Sequence, residues 1–281
     1  MATDPATGTA GRTPVNVPHD ELLQLASELA VKAGRMVAAG RAERGISDAG
    51  SKSSATDVVT EFDIASERLI VGGILAARPD DGIVGEEGTA TNGTSGIDWL
   101  VDPIDGTTNF LYGLPGWAVS IAAATAEGTQ VGAVYVPATD ELFSAVKGEG
   151  AQLDGRPIHC STTTDLALAL VATGFSYLPE RRALQAARIA ELLPRVRDLR
   201  RVGAAATDLC SLAAGRVDIY FEEHLGAWDI AAGALIASEA GCRLGGLDGG
   251  EARPRSMLGA TPALFDAIES LVLEIDARHS T

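Results

Sequence analysis

With 281 residues, 46% hydrophobic side chains and 32 glycines, the chain can bury a large core, in one domain or two closely packed halves, which excludes a disordered or fibrous protein. The formal net charge of −16 excludes non-specific nucleic-acid binding, which needs Lys and Arg to neutralise phosphates, and requires that an anionic substrate be drawn in by bound cations. Cys160, Cys210 and Cys242 are too few and too scattered for a disulfide framework, which points to a reducing cytoplasm, and no run of about eighteen apolar residues is present to span a membrane.

Met1 to Pro18 is rich in Thr, Ala, Pro and Gly and lacks a basic segment followed by an apolar one, so it reads as a disordered tail rather than a signal peptide. Asp20 opens a helical pattern, with Leu22, Leu25, Leu29, Ala33 and Met36 on one face, that Gly40 is expected to end. After a polar connection from Arg41 to Ser51, a second helix is predicted from near Asp57 to Ala77, stopped by Arg78-Pro79. Asp63 and Glu67 share a face of it, and such a pair is ordinarily solvated. Strands are predicted at Ile83 to Gly85, Trp99 to Asp102, Trp117 to Ala124, Thr129 to Val136 and Leu142 to Lys147, with hairpin turns at Glu127-Gly128 and Asp154-Gly155. Val119, Ile121 and Ala123 alternate with Ser120, Ala122 and Ala124, as in a half-buried strand. Residues 19–158 therefore read as an α+β half, a mostly antiparallel sheet under two long helices.

Residues 159–281 change rhythm to alternating strands and helices, an α/β half with its own sheet. Strands are expected at Leu166 to Ala172, Asp198 to Val202, Val217 to Glu222 and Met257 to Ala260. Helices are expected at Glu180 to Leu193, Ala204 to Ala214 and Trp228 to Ala240, and a last one begins with Thr261 as N-cap and Pro262 at its first position.

The chemistry gathers around Trp99 to Phe110. An apolar strand ends on Asp102 and Asp105, with Pro103 between them stopping the ladder, and Gly106-Thr107-Thr108 adds a tight bend and two hydroxyls. Ile83-Val84-Gly85-Glu86-Glu87 repeats the plan of a strand that delivers acids at its end. Paired Asp residues around Pro and Gly also occur in plain surface turns. If these acids converge they repel one another unless a cation lies between them, and hard oxygen ligands suit Mg²⁺ or Mn²⁺.

The string Asp102-Pro103-Ile104-Asp105-Gly106-Thr107-Thr108-Asn109 resembles the inositol monophosphatase family of metal-dependent sugar phosphatases. So do Gly85-Glu86-Glu87, the segment from Lys52 to Asp63, and Trp228-Asp229-Ile230-Ala231-Ala232-Gly233, in that order; the resemblance spans residues 20–275. It implies a layered αβαβα sandwich and a Mg²⁺-dependent phosphomonoesterase that hydrolyses myo-inositol monophosphate with a metal-activated water. It further implies that Glu86, Asp102 and the Ile104 carbonyl hold one ion and that Asp102 bridges to a second completed by Asp105 and Asp229, with a third, weaker ion near Glu86 in some members. By the same resemblance Glu86 and Thr107 receive the attacking water, Asp63 orients Thr107, and the backbone of Gly106 and Thr107 faces the phosphate. Ile104, Asp105 and Asp229 then border the substrate, while Gly203, Ala204, Ala205 and Glu222 approach the ring hydroxyls. Ala204 departs from the Ser or Thr common there.

Read without the family, Thr107 is a turn hydroxyl, Asp229 is a helix cap, Glu222-Glu223 is an acidic loop, and His224 has no ligand-type spacing. The resemblance also implies a homodimer and sensitivity to Li⁺. The same chemistry would serve fructose-1,6-bisphosphate, histidinol phosphate or a 3′-phosphonucleotide. A regulatory binding role is the remaining alternative, since some bacterial relatives associate with the transcription machinery.

Overall fold

The computed structural model describes residues 19–46, 49–51 and 58–279; the tail and the first half of the Lys52 to Asp63 signature, residues 52–57, lie outside them. Helix α1 (His19–Arg44) buries Leu22, Ala26, Leu29, Ala33 and Val37, and it runs through Gly40 rather than ending there. Its glycines are contact points: a Cβ on Gly34 would meet the Tyr135 ring at 2.6 Å, and one on Gly40 the Phe62 ring at 2.6 Å. The short strands β1 (Ala49–Ser51) and β2 (Val58–Thr60) pair antiparallel, so α2 (Glu61–Ala77) starts later than the sequence suggested. Thr60 caps it: its hydroxyl accepts the Phe62 N–H at 3.2 Å, while its own N–H donates to Asp63 at 2.8 Å.

Next come β3 (Gly82–Gly85), β4 (Ala90–Thr91), β5 (Asp98–Asp105), α3 (Thr107–Tyr112), β6 (Ala118–Thr125), β7 (Gly128–Val136), β8 (Glu141–Val146), β9 (Gly150–Leu153) and β10 (Arg156–Ile158). They form an eight-stranded sheet in the order β10-β9-β8-β7-β6-β5-β3-β4, antiparallel except where β3 runs beside β5. Pro103 does not end β5. The register shifts between Asp102 and Asp105, and pairing with β6 resumes at Asp105 opposite Ala118. Strand β6 is buried on both faces, not half-buried, because α1 covers one side and α6 the other.

The rest of the chain supplies β11 (Leu170–Thr173), α4 (Pro179–Leu192), β12 (Asp198–Arg200), α5 (Ala205–Ala213), β13 (Ile219–Glu222), α6 (Ala227–Glu239), β14 (Arg243–Gly245), β15 (Met257–Ala260) and α7 (Phe265–His279). The five-stranded sheet runs β12-β11-β13-β15-β14, with β11 parallel to both β12 and β13. Leu166–Leu168 is a 3₁₀ turn capped by Asp165, so β11 begins only at Leu170. Thr261 accepts the N–H groups of Leu264 and Phe265 in a turn, and α7 proper starts at Phe265 rather than beside Pro262.

The layers are α1 and α2, the large sheet, α5 and α6, the small sheet, then α4 and α7. This is the expected αβαβα sandwich. One core, drawing on Ala122, Val134, Leu209, Tyr220 and Ile236, joins both halves around α5 and α6, and two others fill the outer layers. Among the described residues no helix is long and apolar enough to cross a membrane.

Candidate active site

Asp63 sits in the first turn of α2 and is fully buried, at 0% exposure, so it does not belong to a solvated face. Its two oxygens are divided. Oδ2 accepts the N–H and hydroxyl of Thr60 at 2.8 and 2.6 Å, and Oδ1 lies 3.1 Å from Thr107 Oγ1. The Thr107 hydroxyl also lies 3.1 Å from the Ile104 carbonyl, so one proton is offered to two acceptors. Gly106, at φ +90°, makes the bend that brings Thr107 back over β5.

The acids come from four separate places. Glu86 leaves the end of β3, its N–H donating to the Val101 carbonyl at 3.1 Å. Asp102 lies in the β5 bulge and accepts the Ile104 N–H at 3.0 Å. Asp105 reaches across to α5 and accepts the N–H groups of Ala205 and Ala206 at 3.2 and 2.7 Å. Asp229, in the first turn of α6, accepts the Gly226 N–H at 2.7 Å, the cap geometry read from its position.

Burial pushes the Asp102 carboxyl well above the usual range, and the charges of Glu86, Asp105 and Asp229 push it further. Asp105 moves the same way, first by burial and then by the Asp229 charge, while the Ala206 N–H works against the shift. Burial and the Glu86 charge lift Asp229 to about 7, against the Gly226 hydrogen bond. Glu222, at the end of β13, rises to about 7 by burial, opposed by the Tyr220 hydroxyl and the Arg201 charge.

All four acids line one cavity of about 410 Å³, with Ile104, Gly106, Thr107, Gly203, Ala205 and Glu222 on the same wall system. Asp63 stands behind Thr107 and does not line it. Neither does Ala204, which is buried against Gly106: a Cβ on Gly106 would lie 3.0 Å from the Ala204 Cβ. His224 borders the cavity, so its lack of ligand spacing did not keep it from the site.

The donor set fits a hard divalent cation: the donors are all oxygen, they are buried together, and their ionised forms repel one another. Among the described residues no three acidic, His or Cys side chains are already closed as a metal cage. Asp105 and Asp229 are instead turned onto backbone N–H groups.

Several residues at the site escaped the sequence reading. Glu67 is buried beneath the turn that carries Glu86. Tyr220 donates its hydroxyl to Glu222 at 3.0 Å. Asp208, on the buried face of α5, has its carboxyl pushed up to about 8 by burial and the Glu222 charge. Arg181 and Arg201 bring positive charge to the cavity wall. Glu67 and Asp208 follow from no local motif, because their partners Glu87 and Glu222 lie fourteen or more residues away in the chain, whereas Tyr220 faces Glu222 two residues on along β13.

The model of the inositol monophosphatase family matches residues 19–274. The inositol-1-monophosphatase of Mycobacterium leprae is 42% identical over 274 residues, covering 91% of this chain and 94% of its own. The Nus factor SuhB of Pasteurella multocida is 42% identical over 251 residues, covering 88% and 94%. Among solved structures, the extragenic suppressor protein suhB of Bartonella henselae superposes with a TM-score of 0.85 at 33% identity, covering 90% of this chain and 98% of that one.

Proposed function

The chain belongs to the inositol monophosphatase family, and from that premise we propose that it is a Mg²⁺-dependent phosphomonoesterase acting on myo-inositol monophosphate. The observation that carries the reading is the Asp63–Thr107 contact beside four acids on one cavity wall. Glu86, Asp102 and the Ile104 carbonyl would hold one cation, and Asp102, Asp105 and Asp229 a second; a third beside Glu86 is an option the family leaves open. Bound divalent cations supply Lewis-acid polarisation of the phosphate and ionisation of water near neutral pH.

The protein's own part is positional. Thr107 donates its hydroxyl proton to Asp63, which leaves a lone pair to accept a hydrogen bond from one hydrogen of the attacking water. Glu86 faces the same cavity and would accept the water's other hydrogen, taking that proton as the water attacks. The backbone of Gly106 and Thr107 borders the phosphate position, and Gly203, Ala205 and Glu222 face the polyol. Ala204, buried between them and packed against Gly106, brings no side-chain hydroxyl to the polyol, so any contact it makes there is through its backbone.

A homodimer is part of the same reading. Tyr112 and Tyr177 are exposed and line one cavity together, with Leu114 exposed after α3 and Leu184 exposed on α4, and a second copy would cover them. The three free cysteines agree with a cytoplasmic setting.

The test is phosphate release from metal-stripped protein on adding Mg²⁺, run across myo-inositol 1-phosphate, fructose-1,6-bisphosphate, histidinol phosphate and a 3′-phosphonucleotide. Preference for the inositol ester supports the substrate assignment. Preference for another ester moves the substrate and keeps the chemistry, whereas full turnover in excess chelator ends the metal reading. Relatives named Nus factor SuhB suggest a second role in transcription.

A further inference from the structure

Helix α2 presents three side chains of one face, Asp63, Ser66 and Glu67, to three parts of the site. Asp63 meets Thr107, and Ser66 donates its hydroxyl to the Pro103 carbonyl in the β5 bulge at 3.0 Å. Glu67 reaches the turn after β3. It is 4% exposed, its Oε2 accepts the Glu87 N–H at 2.8 Å, and its Oε1 accepts the N–H and hydroxyl of Thr89 at 3.2 and 2.5 Å. No feature of the proposed chemistry uses this carboxylate, yet it is buried and fully engaged.

The turn it grips is the one that carries Glu86. On one side the Glu86 N–H is tied to the Val101 carbonyl at 3.1 Å, and on the other the next N–H, that of Glu87, is tied to Glu67. The backbone is therefore pinned on both sides of the residue whose side chain enters the cavity. Gly85 makes room for the grip: a Cβ there would lie 2.4 Å from Glu67 Oε2 and 2.7 Å from its carboxyl carbon. Any larger residue at 85 would push the carboxylate off its three donors.

We infer that Glu67 is a positioning residue that fixes Glu86 for cation binding, with α2 setting the spacing between the Glu86 turn and the Asp63–Thr107 pair. This rests on Glu86 being a metal ligand, as proposed above. Residues that orient a ligand from behind typically govern metal affinity by about 10–100-fold when changed. Glu67→Gln keeps the size of the side chain but gives up one acceptor, so either the Glu87 or the Thr89 N–H loses its partner.

The experiment measures Mn²⁺ binding directly, by the electron paramagnetic resonance of free Mn²⁺, on the full-length protein and on Glu67→Gln, Gly85→Ala and Asp102→Asn. Melting temperature without metal and kcat at saturating metal are measured on the same samples. The expected result is Mn²⁺ affinity lowered about 10–100-fold in both Glu67→Gln and Gly85→Ala, with kcat at saturating metal within about threefold of the parent. Mn²⁺ affinity unchanged in both variants, with only the melting temperature lowered, would show a purely structural role and overturn the inference. Asp102→Asn separates the two readings: if it alone loses Mn²⁺, the metal site stands and the role of Glu67 falls. If Asp102→Asn also binds like the parent, both fall. Should Glu67→Gln fail to fold, Thr89→Val decides, since it deletes one donor and leaves the carboxylate; weakened Mn²⁺ binding supports the inference and unchanged binding overturns it.

Discussion

Asp105 accepts the Ala206 N–H at 2.7 Å, so an acid of the large sheet caps a helix of the opposite half. Helix α5 has no side-chain cap of its own, because its N-cap position is Ala204. The same carboxylate is raised by burial and by Asp229, and it shares its cavity with Glu86 and Asp102. Backbone N–H groups offset only part of the repulsion among the buried acids.

That repulsion sets the first prediction, a pH-dependent stability that cations remove. Unfolded Asp and Glu titrate near pH 4, whereas folded Asp229 and Glu222 titrate at about 7 and Asp208 at about 8, with Asp102 and Asp105 also raised. A raised folded pKa means that the folded state binds more protons, so stability is greatest below about pH 4 for these groups and declines as pH rises to about 8. Melting temperature in chelator should fall from pH 5 to pH 8, and saturating Mg²⁺ should flatten the slope. A melting temperature that rose over this range without metal would sink the idea.

Asp63→Asn should lower kcat by roughly 10²–10⁴, the scale of disrupted general acid–base work. The amide oxygen can still accept the Thr60 N–H, so the cap on α2 survives. Its NH₂, if turned to Thr107, offers a donor where the hydroxyl needs an acceptor. Kinetics beside thermal melting distinguish this from misfolding. A normal kcat would remove Asp63 from the mechanism.

Asp208→Asn should raise the melting temperature at pH 7 and flatten part of the pH slope even in chelator. Asp208 is 1% exposed, and its Oδ2 has no hydrogen-bond partner. Keeping it protonated in the folded state while it ionises in the unfolded one is a stability loss that an amide avoids. An unchanged slope between pH 4 and pH 8 would mean the group is not neutral in the fold.

Much of the site was readable because one short string carries it. Asp102, Asp105 and Thr107 occupy a single strand end and the turn after it, so their convergence needs no long-range contact. The αβαβα order came from the family resemblance, and the alternation of helices and strands along the chain agreed with it. The start of α2 was misplaced although Thr60 and Asp63 have capping-box spacing, which gave the correct boundary. Strand β6 misled because Ala and Ser at alternate positions do not reveal whether a second helix layer covers them. Glu67 was read as solvated because its partners are the backbone of a turn about twenty residues on, which no period encodes.

Glu222 should choose the substrate while leaving the chemistry alone. It ends β13 with Oε2 3.0 Å from the Tyr220 hydroxyl, and its carboxylate lies against Gly174, where a Cβ would come within 1.9 Å of Oε1. The group is therefore fixed in place on the cavity wall, outside the proposed ligand set. Its pKa of about 7 belongs to a cavity without cations, and bound cations would favour the ionised form. An ionised carboxylate held there accepts hydrogen bonds from ring hydroxyls, and a substrate without them leaves a desolvated charge unpaired. Glu222→Gln should weaken kcat/KM for myo-inositol 1-phosphate by about 1–3 kcal/mol, the scale of a hydrogen bond to a charged group. Hydrolysis of a small aryl phosphate, which has no hydroxyls to read, should change little. Both substrates are compared on the same variant at saturating Mg²⁺. An equal loss on the two would mean that Glu222 supports the cations or the fold, and the inositol assignment would lose its support at this residue.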